Sequence, residues 1–122
     1  VRGAAAYAEV DRASRVAGAT PHGLVAILLD EAVAGIDALE VALTRGKRGG
    51  DAQVRTAAIL HALEASLDHA QGGEAAGLMQ RVYRETRRCL ARAGQESDPM
   101  WCRQARETIK PVAEAWSAIG HA

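Results

Sequence analysis

Phenylalanine is missing from this chain, and the only aromatic residues are Tyr7, Tyr83, Trp101 and Trp116. Alanine, leucine, valine and arginine dominate instead, which is helix-former composition, and no stretch alternates apolar and polar residues as a half-buried strand does. Cysteine is scarce. Cys89 and Cys102 are too few for a disulfide framework and lack metal-ligand spacing, so a reduced cytosolic setting is the simplest reading. Neither sign of charge is in excess, with 15 Lys and Arg against 15 Asp and Glu. That balance argues against a partner held by bulk charge, such as nucleic acid or a membrane surface, though it leaves room for a local patch. No apolar run approaches the roughly 20 residues of a membrane-spanning helix. The opening "VRGAAAYAEV" has no long apolar core of the kind a signal peptide carries.

At 122 residues the chain is one domain, long enough to bury a core without a staple. Residues 1–19 read as a short helix or an extended arm, with Tyr7 and Val10 on one face. Four helices are predicted after it, at about 20–45, 51–71, 74–93 and 98–120. Thr20 is a good N-cap and Pro21 fits the first helical position. Leu24, Leu28, Ala32, Ile36, Leu39 and Leu43 then recur at helical spacing, and "GKRGG" stops the run. Asp51 caps a second helix with an apolar stripe at Ile59, Leu60, Leu63, Leu67 and Ala70. Gly72-Gly73 is read as its end, and Glu74 suits the first turn of a third helix. The inward face of that helix is read as Leu78, Met79, Val82, Thr86, Cys89, Leu90 and Ala93, with Gly94 closing it. Asp98 and Pro99 repeat the start signal for the last helix, in which Pro111 predicts a kink or break. Helices of this length joined by short links predict an all-α, antiparallel up-and-down four-helix bundle.

Some apolar positions do not belong to these stripes. In the first helix Ile27, Ala34 and Val41 recur every seventh residue, away from the main face. In the second, Val54, Ala58, Ala62 and Ala65 lie opposite Leu63, with Glu64 and Asp68 on a flank. A surface helix with one apolar stripe needs one partner, and two stripes imply a second. Alanine is also the best helix former and tolerates solvent, so a face of alanines is equally what propensity alone produces. Ile27 and Val41 are larger, and each gains about 1.5–3 kcal/mol on full burial. Such a face suits an incoming amphipathic helix.

Candidate chemistry is sparse. Arg81, Arg84, Arg87, Arg88 and Arg92 read either as a patch for an acidic partner or nucleic acid, or as a solvated face paired with acids of neighbouring helices. Zero net charge and the lack of interleaved aromatics favour the second. None of His22, His61, His69 or His121 follows a glutamate by three residues, so the di-metal bundle pattern is missing. Cys89 reads as a small core residue, and a redox pair with Cys102 depends on the third and fourth helices being neighbours. Ser14 and Ser66 lack an activating base, and "RGKRGGD" is not a phosphate-binding loop. No catalysis, cofactor or metal is expected.

One stretch carries a resemblance. "SLDHAQGGEAAGLMQRVY", with Ser66, Leu67, Asp68, Gly72, Gly73, Ala75, Leu78 and Tyr83, resembles the centre of the FliS family of flagellin-specific export chaperones. "AYAEVDRAS" is similar to that family's N-terminal segment at Tyr7, Val10 and Ser14. "ATPHGLVAILLDEAVAGIDAL" is similar to its first long helix, and "EAWSAI" to its closing Ala115-Trp116. Leu29 stands where the family often has tyrosine. The resemblance implies a four-helix bundle that binds the disordered C-terminal region of flagellin in the cytoplasm, prevents premature polymerisation and assists type III export. It also implies contacts with an export-gate component and an anti-sigma factor, and structural roles for Pro21, Gly72, Gly73, Leu78, Tyr83 and Trp116. The residues expected to meet the partner are Tyr7, Val10, Ile27, Ala34, Val41, Val54, Ala58, Ala62 and Ala65. The competing reading is a helical adaptor or regulator that holds another protein, with a nucleic-acid-binding bundle behind it.

Overall fold

The computed structural model describes Gly18 and residues 20–120. The arm expected over 1–19, including Tyr7 and Val10, falls outside them apart from Gly18. Four helices follow in order: α1 (Pro21–Thr44), α2 (Gly50–Ala65), α3 (His69–Glu96) and α4 (Met100–Gly120). No strand occurs among the described residues. The links span only 45–49, 66–68 and 97–99, too short for anything but antiparallel neighbours. α1 packs on α2 and α4, and α3 packs on the same two, so the helices close a ring. The chain is an all-α four-helix bundle.

The first helix begins where local chemistry dictates. The Thr20 hydroxyl accepts from the Gly23 amide at 3.0 Å, and Pro21 occupies the first turn, where its missing N–H costs nothing. It ends in a Schellman turn. Gly46 is left-handed at φ 74°, its amide reaching the Leu43 carbonyl at 3.0 Å and the Lys47 amide reaching Ala42 at 2.8 Å. The core of α1 is Leu29, Ala32, Ile36, Leu39 and Leu43. Leu24 is outside it at 38 % exposure.

The α2–α3 boundary differs from the sequence expectation. α2 stops at Ala65, not at residue 71, because side chains end it before the glycines are reached. The Ser66 hydroxyl donates to the Leu63 carbonyl at 2.7 Å, competing with the helical ladder. Asp68 is extended and accepts from the Gln71 amide at 3.1 Å, capping a new turn. Ala70, expected in the α2 stripe, is therefore exposed in α3. Gly73 still breaks the path: at φ 51° and ψ −124° it kinks α3 after one turn, a conformation a side chain would strain.

Leu78 was expected inside and is 54 % exposed. Ala76, Tyr83, Thr86, Leu90 and Ala93 set the inward face of α3, and Leu78 points about 140° from Tyr83 at 100° per residue. Gly94 does not stop α3 either. It lies against Gln53, whose amide donates to the Leu90 carbonyl at 2.9 Å, and a Cβ there would fall 2.4 Å from Gln53 Nε2. Glycine serves helix contact at this point. Gly35 does the same between α1 and α2, where a Cβ would lie 2.0 Å from Thr56 Oγ1. α4 runs unbroken through Pro111, which is on the exposed side, so the carbonyl it leaves free can turn to water.

A contact between α1 and α4 closes the ring. The His22 and Trp116 rings stack with centroids 4.4 Å apart and planes 8° from parallel. His22 Nε2 reaches the Trp116 carbonyl at 3.0 Å, and the Trp116 indole donates to the His22 carbonyl at 3.0 Å.

Candidate functional site

The outward side of α2 is built from small aliphatic side chains. Val54 is 72 % exposed, and Ala58, Ala62 and Ala65 are exposed with it. The stripe recurs at helical spacing opposite Leu60 and Leu63, both fully buried. Arg55 is the only charged residue between Val54 and Leu63. Beside it on α1, Ala34 is exposed and Val41 is 48 % exposed. Ile27 differs. Expected on this open face, it is 7 % exposed, yet it is not part of the bundle's core cluster. Burial suits its size better than water does.

Charge on the flank is tied down. Glu64, at the end of α2, receives hydrogen bonds from Arg87 at 2.5 Å, Arg84 at 2.9 Å and Gln80 at 3.2 Å, all on α3. The bond from Arg87 contributes most, and together they outweigh partial burial and hold the carboxyl down at about 2. Asp68 is used as a cap. Glu64 and Asp68 are thus engaged elsewhere, and the charges left on the open side of α2 are Asp51 and Arg55, near its start.

Four of the five arginines of α3 resolve the same way, while Arg81 is exposed and in no ion pair with a described residue. Beyond the two on Glu64, Arg88 pairs with Glu85 at 2.6 Å and Arg92 with Glu96 at 2.8 Å. Arg88 and Arg92 also lie over the Trp101 ring, 5.7 and 4.6 Å from its centroid. Arg103 and Arg106 of α4 pair with Glu40, and Arg106 also with Asp37, joining α4 to α1. A nucleic-acid surface needs a cluster of unpaired cations, and on α3 and α4 acids of the protein occupy six arginines.

The two cysteines are free and buried. Burial pushes the Cys102 thiol up to about 11 and raises that of Cys89, which disfavours the reactive thiolate a redox sensor uses. Among the described residues no group of three or more His, Cys, Asp and Glu could hold a metal ion. No helix among them is long and apolar enough to cross a membrane.

One feature escaped the sequence reading. An apolar cavity of about 360 Å³ opens at the end of the bundle where Val25, Leu67, Ala76, Met79, Tyr83 and Trp116 meet. Much of its wall comes from the Ser66–Tyr83 stretch. Tyr83 is buried, and Trp116 is half-buried at the rim. Only the separate placement of Tyr83 and Trp116 was legible beforehand, since the cavity exists through the meeting of α1, α3 and α4 with the α2–α3 link.

The helical ring pairs most arginines of α3 and α4 internally and leaves an aliphatic stripe open on α2, which offers contact surface and no catalytic constellation among the described residues. The comparisons with known proteins make the class specific. The family model described as "Flagellar protein FliS" matches residues 3–122, and the chain belongs to that family. The flagellar secretion chaperone FliS of Salmonella typhimurium is 31 % identical over 120 residues, covering 96 % of this chain and 89 % of that protein.

Proposed function

We propose that this protein is a cytoplasmic export chaperone that holds the disordered C-terminal region of flagellin, keeps it from polymerising early and hands it to the flagellar type III export apparatus. One observation carries the reading: a member of the FliS family leaves an aliphatic, almost uncharged face exposed along α2 and the adjoining edge of α1. Ala34, Val41, Val54, Ala58, Ala62 and Ala65 form the open part of that contact surface. Ile27, Tyr7 and Val10 are further guest contacts in this reading. The work is binding, with no chemical step. An export-gate component and an anti-sigma factor are further partners in this scheme.

The physical mechanism is coupled folding. A flexible amphipathic segment coils onto the face, burying its apolar side and freeing water from both surfaces. Ordering the segment costs at least about 2–5 kcal/mol, which keeps a large contact reversible and permits release at the export gate. Titrating the protein with a flagellin C-terminal peptide should add helical circular dichroism beyond the sum of the parts. Ala58→Arg or Ala65→Arg should abolish that gain while the melting temperature stays put. A peptide that binds both variants as it binds the parent would refute the face.

A further inference from the structure

The link between α1 and α2 carries three cations, Arg45, Lys47 and Arg48, all exposed. None is in an ion pair with a described residue, whereas Arg84, Arg87, Arg88, Arg92, Arg103 and Arg106 each have a carboxylate partner. In a chain of zero net charge this is a local excess that the fold does not use. The end of α1 accounts for part of it, since a helix C-terminus carries the equivalent of roughly half a negative charge. Asp51, exposed in the first turn of α2, offsets one cation, and the remaining two still exceed that charge.

The link is also well held. Gly46 closes the Schellman turn on Ala42 and Leu43. Gly49, left-handed at φ 62°, packs so closely that a Cβ would sit 2.8 Å from Leu39 Cδ1. The cations thus project from a defined turn. Its position matters most. Val41 lies in the last turn of α1 and Val54 near the start of α2, so the two most exposed aliphatics of the open face flank this link.

We infer that the Arg45–Arg48 turn receives the anionic end of the segment docked on the α1–α2 face, and so sets the direction in which that segment lies. The inference rests on the proposed guest-binding role. Small aliphatic side chains fix position across a face but discriminate poorly between two opposite directions, because each direction buries similar area. A charge at one end breaks that symmetry. The matching group on the guest is a carboxylate at the end of a helix. It comes from the terminal carboxyl or from acidic side chains in the last turn, and the helix's own negative end adds to either. The guest's C-terminal end then lies over Gly46, and its N-terminal end runs towards Ala65.

The test uses the full chain and a flagellin C-terminal peptide with a nitroxide at one end or the other. The C-terminal label should broaden the Gly46 amide signal and spare Gly73. Lys47→Glu with Arg48→Glu should weaken the peptide about tenfold at roughly 50 mM salt and much less at roughly 200 mM, where screening shortens the reach of the charges. Amidating the peptide's C-terminus separates the sources: the same loss assigns the terminal carboxyl, and no loss assigns acidic side chains. Broadening of Gly73 by the C-terminal label, or an affinity within about twofold of the parent at low salt, overturns the inference. Ala58→Arg separates it from the reading beneath. If Ala58→Arg abolishes binding and charge reversal does nothing, the orientation falls alone. If the peptide does not bind, or ignores Ala58→Arg, both fall.

Discussion

The two sides of α2 are made differently, although sixteen residues build both. The inner side is crowded with specific contacts: Thr56 against Gly35, Gln53 on the Leu90 carbonyl beside Gly94, Leu60 and Leu63 in the core, and Glu64 clamped by three side chains of α3. The outer side carries valine, alanine and one histidine, with Asp51 and Arg55 near its start. In the proposed role, stability and binding sit on opposite faces of one helix. A substitution on one side should leave the property of the other almost untouched.

The strongest break of that separation should come from the centre of the inner side. Leu63→Ala empties a fully buried site and should cost about 2–5 kcal/mol in urea unfolding, while a folded fraction still binds the guest with the parent's affinity. Gly35→Ala comes next. Its Cβ would lie 2.0 Å from Thr56 Oγ1, a buried hydroxyl held on the Ala52 carbonyl, an overpacking cost of about 1–3 kcal/mol measured by thermal melting.

Glu64→Gln should be milder, about 1 kcal/mol near neutral pH, since its partners are partly solvated. Its pH dependence is the sharper signature. The carboxyl ionises at about 2 in the folded protein against an ordinary 4.5. Its contribution is therefore complete above the ordinary value and lost as pH falls through about 2. Parent and variant should differ in stability at pH 6 and converge near the acid end of a chemical-denaturation series. The smallest stability effect belongs to the outer side. Val54→Asp should shift unfolding by no more than about 0.5 kcal/mol while weakening the flagellin peptide several-fold in a titration. A large loss of stability there would mean that the open face is structural after all.

Two helix starts were legible because they are local: Thr20-Pro21 and Asp98-Pro99 carry their own caps within three residues. The cap expected from Asp51 is not made, α2 starting from Gly49 with no side-chain cap, and α3 starts at Asp68 ahead of Glu74. The end of α2 was not legible. Gly72-Gly73 looks like a stop in composition, while the actual stop is made by a Ser66 hydroxyl and an Asp68 carboxylate, whose effect depends on the backbone they meet. Gly94 and Gly35 mislead in the same way, since a glycine that breaks a helix and a glycine that lets two helices touch are identical until the second helix is in place. Of the candidate face, Val41, Val54 and the alanines could be placed from periodicity alone. Ile27 could not, because periodicity says which residues turn from the core but not what else lies over them.

The stacking of His22 on Trp116 fastens the first turn of the bundle to its last. Whatever precedes residue 20 and whatever follows residue 120 consequently leave from the same pole as the apolar cavity, and the Arg45–Arg48 turn occupies the other pole. A fluorescent reporter attached at Thr20 or Ile119 would sit at the cavity's pole, so protein labelled there is suited to reading events at the cationic pole and ill suited to reading those at the cavity.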